Sequence, residues 1–158
     1  MILYHGSNVA IDKIDLSFCK PYKDFGKGFY LTDIRSQADD MAIRRVRLAG
    51  SGSPIVTAFE FEECLLKDQS INALIFPKVS VDWAEFVLNN RDINHKGFTH
   101  NYDIVVGPVA NDTVAFQLRR YLLGAISLES LVKELEYKGL NSQYFFGTEF
   151  AISKLKRI

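Results

Sequence analysis

The run Asp24-Phe25-Gly26-Lys27-Gly28-Phe29-Tyr30-Leu31-Thr32-Asp33 holds the densest set of residues able to do chemistry. Glycines flank Lys27 just ahead of a strand-like stretch. They permit unusual backbone angles and close approach of a ligand to the main chain. Tyr30 sits early in that stretch, where its aromatic face could line a pocket. The plainer reading is a turn, then an edge strand holding one core aromatic. Tyr4-His5-Gly6-Ser7 closes an apolar run at the start of the chain. On its own, His5 reads as a core histidine satisfied by backbone, so neither segment alone fixes a site.

Other groups need the same weighing. Trp83 shares a helix face with Phe86 and Val87 and reads as core before it reads as a cofactor box. Asp103 and Asp112 could line a cleft, although Asp112 suits a helix cap better. Glu149 fits a first-turn acid that favours the helix dipole, ahead of a catalytic acid. Glu85 points away from the Trp83 face, toward solvent. His95 and His100 flank Gly97 in a polar loop without the carboxylate or cysteine spacing of a metal site. The 2 cysteines, Cys19 and Cys64, make no disulfide framework. No metal is expected.

At 158 residues the chain has the size of one domain, residues 1–158. Hydrophobic residues at 47% against 24% charged mark a folded protein and exclude a disordered one. Lys+Arg and Asp+Glu both number 19, so no global field favours nucleic acid or an anionic membrane. Arg44, Arg45 and Arg47 form the densest local basic patch. The start lacks a basic segment followed by a long apolar run, so no signal peptide is expected. No apolar stretch is long enough to span a bilayer. The expected place is the cytoplasm, or outside it as an exported effector without a cleavable signal.

The elements that must position these residues interleave. Met1 to His5 reads as a first strand, residues 8 to 27 as a long irregular connection, and Gly28 to Thr32 as a second strand. Ser36 to Leu48 has helix chemistry, with Ala38, Met41, Ala42, Val46 and Ala49 on one side, and Gly50 to Pro54 breaks it. Ile55 to Phe61 alternates as a half-buried strand. Ser80 caps a helix from Val81 to about Asn90. Tyr102 to Val106 is a strand stopped by Gly107-Pro108. Asp112 caps a helix from Thr113 to Leu123, and Ser127 caps one from Leu128 to Tyr137 that Gly139 closes. Gln143 to Phe146 is a late strand, and Thr148 caps a final helical turn carrying Ala151, Ile152 and Leu155. No P-loop, dinucleotide fingerprint or internal repeat appears. The fold class is α+β.

The Asp24–Asp33 segment resembles the second motif of poly(ADP-ribose) polymerase catalytic domains, a Phe-Gly-Lys-Gly-aromatic-Tyr strand entering a helix. The resemblance implies that Tyr30 stacks on the nicotinamide ring of NAD⁺, a flat cation on an electron-rich face, worth ~0.5–2 kcal/mol. Tyr4-His5-Gly6-Ser7 is similar to the family's first motif. It implies that His5 bonds a hydroxyl of the nicotinamide ribose and that the Gly6 backbone pairs with the carboxamide. The third motif is a late strand bearing a glutamate. The matching strand here is Leu140-Asn141-Ser142-Gln143-Tyr144-Phe145-Phe146, which puts Gln143 at that position. A glutamine can bond the ribose 2′-hydroxyl, but it supplies neither negative charge to an oxocarbenium-like centre nor a general base. On a gapless match, Ala38 replaces a serine that bonds the carboxamide and Met41 a second stacking tyrosine.

The chain resembles still more closely a small bacterial and phage branch of that superfamily, an uncharacterised domain family with glutamine in place of the catalytic glutamate. Its His-Gly-Ser start, Asp-Phe-Gly-Lys-Gly-Phe-Tyr-Leu-Thr motif, Tyr-Asp-Ile-Val-x-Gly-Pro-Val-Ala segment and late glutamine strand before Thr-Glu-x-Ala-Ile all occur here. The third is Tyr102 to Ala110 and the last Gln143 to Ile152. The resemblance covers essentially the whole chain. It implies an ADP-ribosyltransferase-like split β-sandwich with flanking helices and NAD⁺ as co-substrate. His5, Tyr30 and Gln143 would be catalytic. The implied NAD⁺ contacts are His5, Gly6, Ser7, Phe25, Gly26, Lys27, Gly28, Tyr30, Met41 and Gln143. Lys27 would meet the pyrophosphate or simply face water. The expected activity is mono-ADP-ribosyl transfer with release of nicotinamide. The alternatives are an NAD⁺-binding module that has lost transfer, or an NAD⁺ hydrolase or RNA-modifying transferase on the same fold. Neutral net charge favours a protein acceptor over nucleic acid, and no membrane partner is expected.

Overall fold

The computed structural model describes residues 1–94, 99–110, 112–136 and 141–158. Seven strands and five α-helices are found among them: β1 (Ile2–Ser7), β2 (Phe29–Leu31), α1 (Arg35–Ala49), β3 (Ile55–Glu60), β4 (Ala73–Ile75), α2 (Val81–Arg91), β5 (Ile104–Pro108), α3 (Asp112–Leu122), α4 (Leu128–Glu136), β6 (Ser142–Phe146), α5 (Glu149–Ile152) and β7 (Lys156–Arg157). The α+β class read from the sequence is borne out. Among the described residues no helix is long and apolar enough to cross a membrane.

The strands form two sheets, ordered β1-β3-β7 and β2-β6-β5-β4, with only β4–β5 parallel. A single bridge, Tyr4 to Thr32, ties β1 to the end of β2 through bonds of 2.7 and 3.0 Å. Period-2 alternation explains the layers. Leu3, Phe29, Leu31, Phe59, Ile104, Val106, Tyr144 and Phe146 share one core, contributed by strands of both sheets. The residues between them, Val105 and Phe145, join Phe25 with Trp83 and Val87 of α2, Val114 and Leu118 of α3, and Leu131 and Leu135 of α4 in a second core. The four-stranded sheet is therefore buried on both faces, and Tyr30 packs against the helix-side core. Trp83 is core, as its helix face implies, and its Nε1 donates to Pro108 O at 3.2 Å.

Local signals set the helix ends. Ser80 accepts from Trp83 N, Ser127 from Ser130 N and Thr148 from Ala151 N, each a cap read from sequence. Gly50 ends α1 in the left-handed region at φ 65. Helix α3 starts at Asp112 itself, one residue ahead of the expected first turn. The expected stop at Gly139, like His95, lies outside the described residues. Two boundaries are corrected at β5, which begins at Ile104 and runs through Gly107-Pro108. Asp103 is held out of the strand because its carboxylate accepts from Asn72 N and Thr148 Oγ1. Gly107 and Pro108 instead continue the pairing with Gln143 and Ser142. That extension brings the Pro108 carbonyl beside Gln143.

Helix α1 lies close against β1. A Cβ on Gly6 would stand 2.0 Å from Ala38 O and 2.8 Å from Ala42 N. The small residues Gly6, Ala38 and Ala42 thus set the approach of helix to strand.

Candidate functional site

A cavity of about 450 Å³ opens where β1, β2, β6 and α1 meet. Of the residues implicated by sequence, His5, Gly6, Tyr30, Met41 and Gln143 line it. Ala38 lines it too, but as a small residue packed under Gly6. The others are placed elsewhere. Ser7 is buried at the end of β1, opposite Ile55. Phe25 is fully buried and stacks behind Tyr30, ring centroids 6.4 Å apart. Gly28 packs against Phe145, whose ring a Cβ there would strike at 2.2 Å. Gly26 and Lys27 line a second cavity of about 300 Å³, together with Asn90, His100 and Tyr102.

Gly26 divides the two. Its φ of 88 is open to glycine and strained for other residues. In that conformation its carbonyl accepts from Tyr30 Oη at 2.8 Å, while Phe25 N donates to the same oxygen at 3.0 Å. The phenol is therefore tied at both donor and acceptor, and burial pushes its pKa far above the ordinary value. Tyr30 can serve a ligand with its ring face and not as an acid or base.

His5 stacks on Phe29 with centroids 4.3 Å apart, and its Nδ1 donates to Tyr30 O at 2.8 Å. Burial holds the imidazole below its usual 6.5; the backbone bond acts against that, and the charge of Arg45 adds to it. The uncharged ring with Nδ1–H engaged leaves Nε2 as a hydrogen-bond acceptor. Linkage makes this testable. The unfolded chain gains the His5 proton near pH 6.5 and the folded chain only at lower pH, so stability present above 6.5 is lost as pH falls through that range. His5→Asn should flatten the fall in melting temperature between about pH 7 and pH 5, followed by thermal denaturation at constant ionic strength. A slope equal to the parent's would mean that His5 takes up its proton as readily in the folded chain as in the unfolded one.

Strand alternation also settles where the Gly6 backbone looks. Tyr4 exchanges both its backbone bonds with Thr32, so Gly6, two residues on, turns its N–H and C=O along the same edge and past Thr32 into the cavity.

Gln143 is oriented by chemistry. Its Nε2 donates to Asp24 Oδ2 at 2.7 Å and to Pro108 O at 3.3 Å. Both partners only accept, so the amide nitrogen must face them and Oε1 is left as the free acceptor end. Asp24 is itself 7% exposed. Its Oδ1 accepts from Arg91 Nε and Nη2 at 2.8 and 2.5 Å, and its Oδ2 accepts from Ala110 N at 3.0 Å. Arg91 Nη2 also reaches Ala110 O at 2.9 Å. Neither Asp24 nor Arg91 was singled out from sequence. Asp24 heads the glycine motif, which is a faint signal, but its partners lie 67 and 119 residues away.

The α1 side of the cavity is cationic. Lys23, Arg44 and Arg45 line it, and burial first, then the charge of Arg45, draws the Lys23 ammonium below its usual range. Two of the three arginines of the basic patch thus belong to the cavity. Lys27, expected either at the pyrophosphate or facing water, does not line it.

The weaker candidates fall outside. Asp103 ties Asn72 to Thr148 instead of lining the cleft. Glu149 stands in the first turn of α5. His100 donates from Nε2 to Phe25 O and accepts at Nδ1 from Tyr102 N, so both nitrogens serve the backbone. Among the described residues no group of three His, Cys, Asp or Glu could hold a metal ion.

No curated protein and no solved structure matches the chain. The family described as Protein of unknown function (DUF3990) matches residues 1–157, and the chain belongs to that family.

Proposed function

We propose that this chain binds NAD⁺ in the larger cavity and transfers ADP-ribose to an acceptor, as a mono-ADP-ribosyltransferase on an ADP-ribosyltransferase-like split β-sandwich with flanking helices. Two acceptors on one cavity carry this reading. His5 Nε2 and Gln143 Oε1 are the ends left over after their other polar atoms are bound to backbone and to Asp24. A ribose diol offers two hydroxyl donors to such a pair, beside the flat face of Tyr30 for the nicotinamide and the Gly6 edge for its carboxamide. Lys23 and Arg45 on the same cavity suit the pyrophosphate.

In this reading the chain works by holding the donor. His5 and Gln143 fix the ribose, Tyr30 fixes the ring, and the C–N bond breaks with its electron pair leaving on nicotinamide. The acceptor's nucleophile then bonds the anomeric carbon and gives its proton to solvent. Orientation supplies most of the rate, because Gln143 brings a dipole to the developing cation and no charge.

A second reading has its own support. The carboxylate nearest Gln143 is Asp24, and Arg91 already pairs with it. A cavity without a free carboxylate suits an NAD⁺-binding module that does not cleave. Calorimetric titration with NAD⁺, followed by mass spectrometry of the same sample for nicotinamide, separates the two. Binding with release is expected of the transferase, and binding without release, even with candidate acceptors added, leaves the module. Absence of binding would remove both.

A further inference from the structure

We infer that Asp24 is the positioning residue for Gln143 and that it fixes the identity of that side chain, because a carboxylate at position 143 would meet that of Asp24 at hydrogen-bond distance, where an amide can donate and a second ionised acid is strongly disfavoured. The functional half of this inference rests on the reading that Gln143 meets the ligand.

Three separate parts of the chain converge on Asp24. Arg91 closes α2, Ala110 follows β5, and Gln143 lies in β6. Four hydrogen bonds reach the carboxylate, two of them from the guanidinium. Charge-assisted bonds of this kind hold planar groups in one geometry. Asp24 is therefore a fixed acceptor, and the group facing it at 2.7 Å must donate. Pro108 O, the other neighbour of that end, demands the same. A glutamine meets both demands with its two N–H bonds and turns Oε1 to the cavity. A glutamate in the same place would set two carboxylates at hydrogen-bond distance with a carbonyl beside them.

Two carboxylates so close lose their protons in two separated steps, and between those steps they share one proton. The other charged or titratable groups lining the same cavity are Tyr4 and His5 on β1, Tyr30 on β2, Arg91 on α2, Lys23 beside Asp24, and Arg44 and Arg45 on α1. Arg91 is already spent on Asp24. Lys23, Arg44 and Arg45 line the same cavity and favour ionisation, but Asp24 opposes it at hydrogen-bond distance. The amide is thus matched to its neighbour. Restoring an acid at 143 requires the charge to move off 24, which Asp24→Asn does while keeping a side chain able to donate to the new carboxylate.

The experiment follows the carboxyl groups of Gln143→Glu and of Asp24→Asn/Gln143→Glu by ¹³C NMR across pH. In the single variant the pair should titrate in two steps, the upper lying above the ordinary carboxylate range. In the double variant that upper step should vanish. The melting temperature of Gln143→Glu relative to the parent should fall as pH rises through the ordinary carboxylate range. The folded pair retains a proton there that the unfolded chain has lost. The double variant should show no such fall. The parent supplies a check that needs no variant: the Gln143 side-chain amide protons should exchange at least about tenfold more slowly than those of exposed Gln69. A single variant with only ordinary titrations, or fast amide exchange at Gln143, overturns the inference. None of these readouts uses NAD⁺, so failure of NAD⁺ to bind would sink the proposed activity and leave the Asp24–Gln143 result standing.

Discussion

Tyr30→Ala is expected to lower NAD⁺ affinity by about thirtyfold or more, whereas Tyr30→Phe should leave it within about threefold. The difference follows from what each half of the side chain does. A nicotinamide cation lying on the ring gains up to ~2 kcal/mol when desolvated, which is about thirtyfold in affinity. Alanine removes that face and its edge-on packing against Phe145, ring centroids 5.3 Å apart. Phenylalanine keeps both. The hydroxyl is already engaged by Phe25 N and Gly26 O, so its loss should leave affinity little changed.

The phenylalanine variant shows its cost elsewhere. Without the hydroxyl, Phe25 N and Gly26 O lose their partner, and leaving such groups unsatisfied costs about 1–3 kcal/mol of folding stability. The pair of variants therefore separates two roles. Calorimetry should find Tyr30→Phe close to the parent in affinity, and urea denaturation should find it less stable. Equal affinity in Tyr30→Ala and the parent would take the nicotinamide off Tyr30, and the proposed site with it.

Much of the architecture was legible because its causes are local. Ser80, Ser127 and Thr148 each reach a backbone N–H three residues on, so a short window of sequence contains both partners. The apolar runs Ile104–Val106 and Tyr144–Phe146 read as strands, and the structure buries them on both faces of one sheet. Strand β4 was not legible. Its three residues, Ala73–Ile75, carry too little pattern to register. They become a strand through parallel pairing with β5, held by Asp103 on Asn72 N across 31 residues. Strand β7 has only two residues and likewise exists through its pairing, with β3.

The site divides in the same way. His5, Gly6, Tyr30 and Gln143 were picked out and do line one cavity. Lys27 stands apart from these four. It stands three residues from Tyr30, yet the positive φ at Gly26 turns the chain so that Lys27 lines the other cavity. Asp24 and Arg91 were missed for the opposite reason. Their chemistry is ordinary in a linear reading and becomes a partly buried ion pair only when residues 67 positions apart meet. A charge partner has no sequence period, so nothing short of the fold reveals it.

Gly6→Ala is expected to cost about 3 kcal/mol of stability, at or above the top of the usual range for overpacking. From sequence, this glycine answers to a ligand that needs the bare backbone. Packing adds a stronger demand. The new methyl would lie 2.0 Å from Ala38 O and 2.8 Å from Ala42 N, and both are backbone atoms of α1. Backbone cannot rotate aside as a side chain can, so the helix must move off the strand. For the same reason Ala38→Gly should not rescue Gly6→Ala. The obstructing carbonyl remains, and a helical glycine adds roughly 1 kcal/mol of its own penalty. The displacement also reaches the cavity, since α1 carries Met41, Arg44 and Arg45 on one wall while β1 carries His5 on another. NAD⁺ affinity should therefore fall together with stability. Urea denaturation and NAD⁺ titration of the same preparation decide between the demands. Parent-like stability with lost affinity would mean that Gly6 serves ligand approach alone. Loss of both, unrelieved by Ala38→Gly, means that one close contact between helix and strand holds the fold and shapes the site.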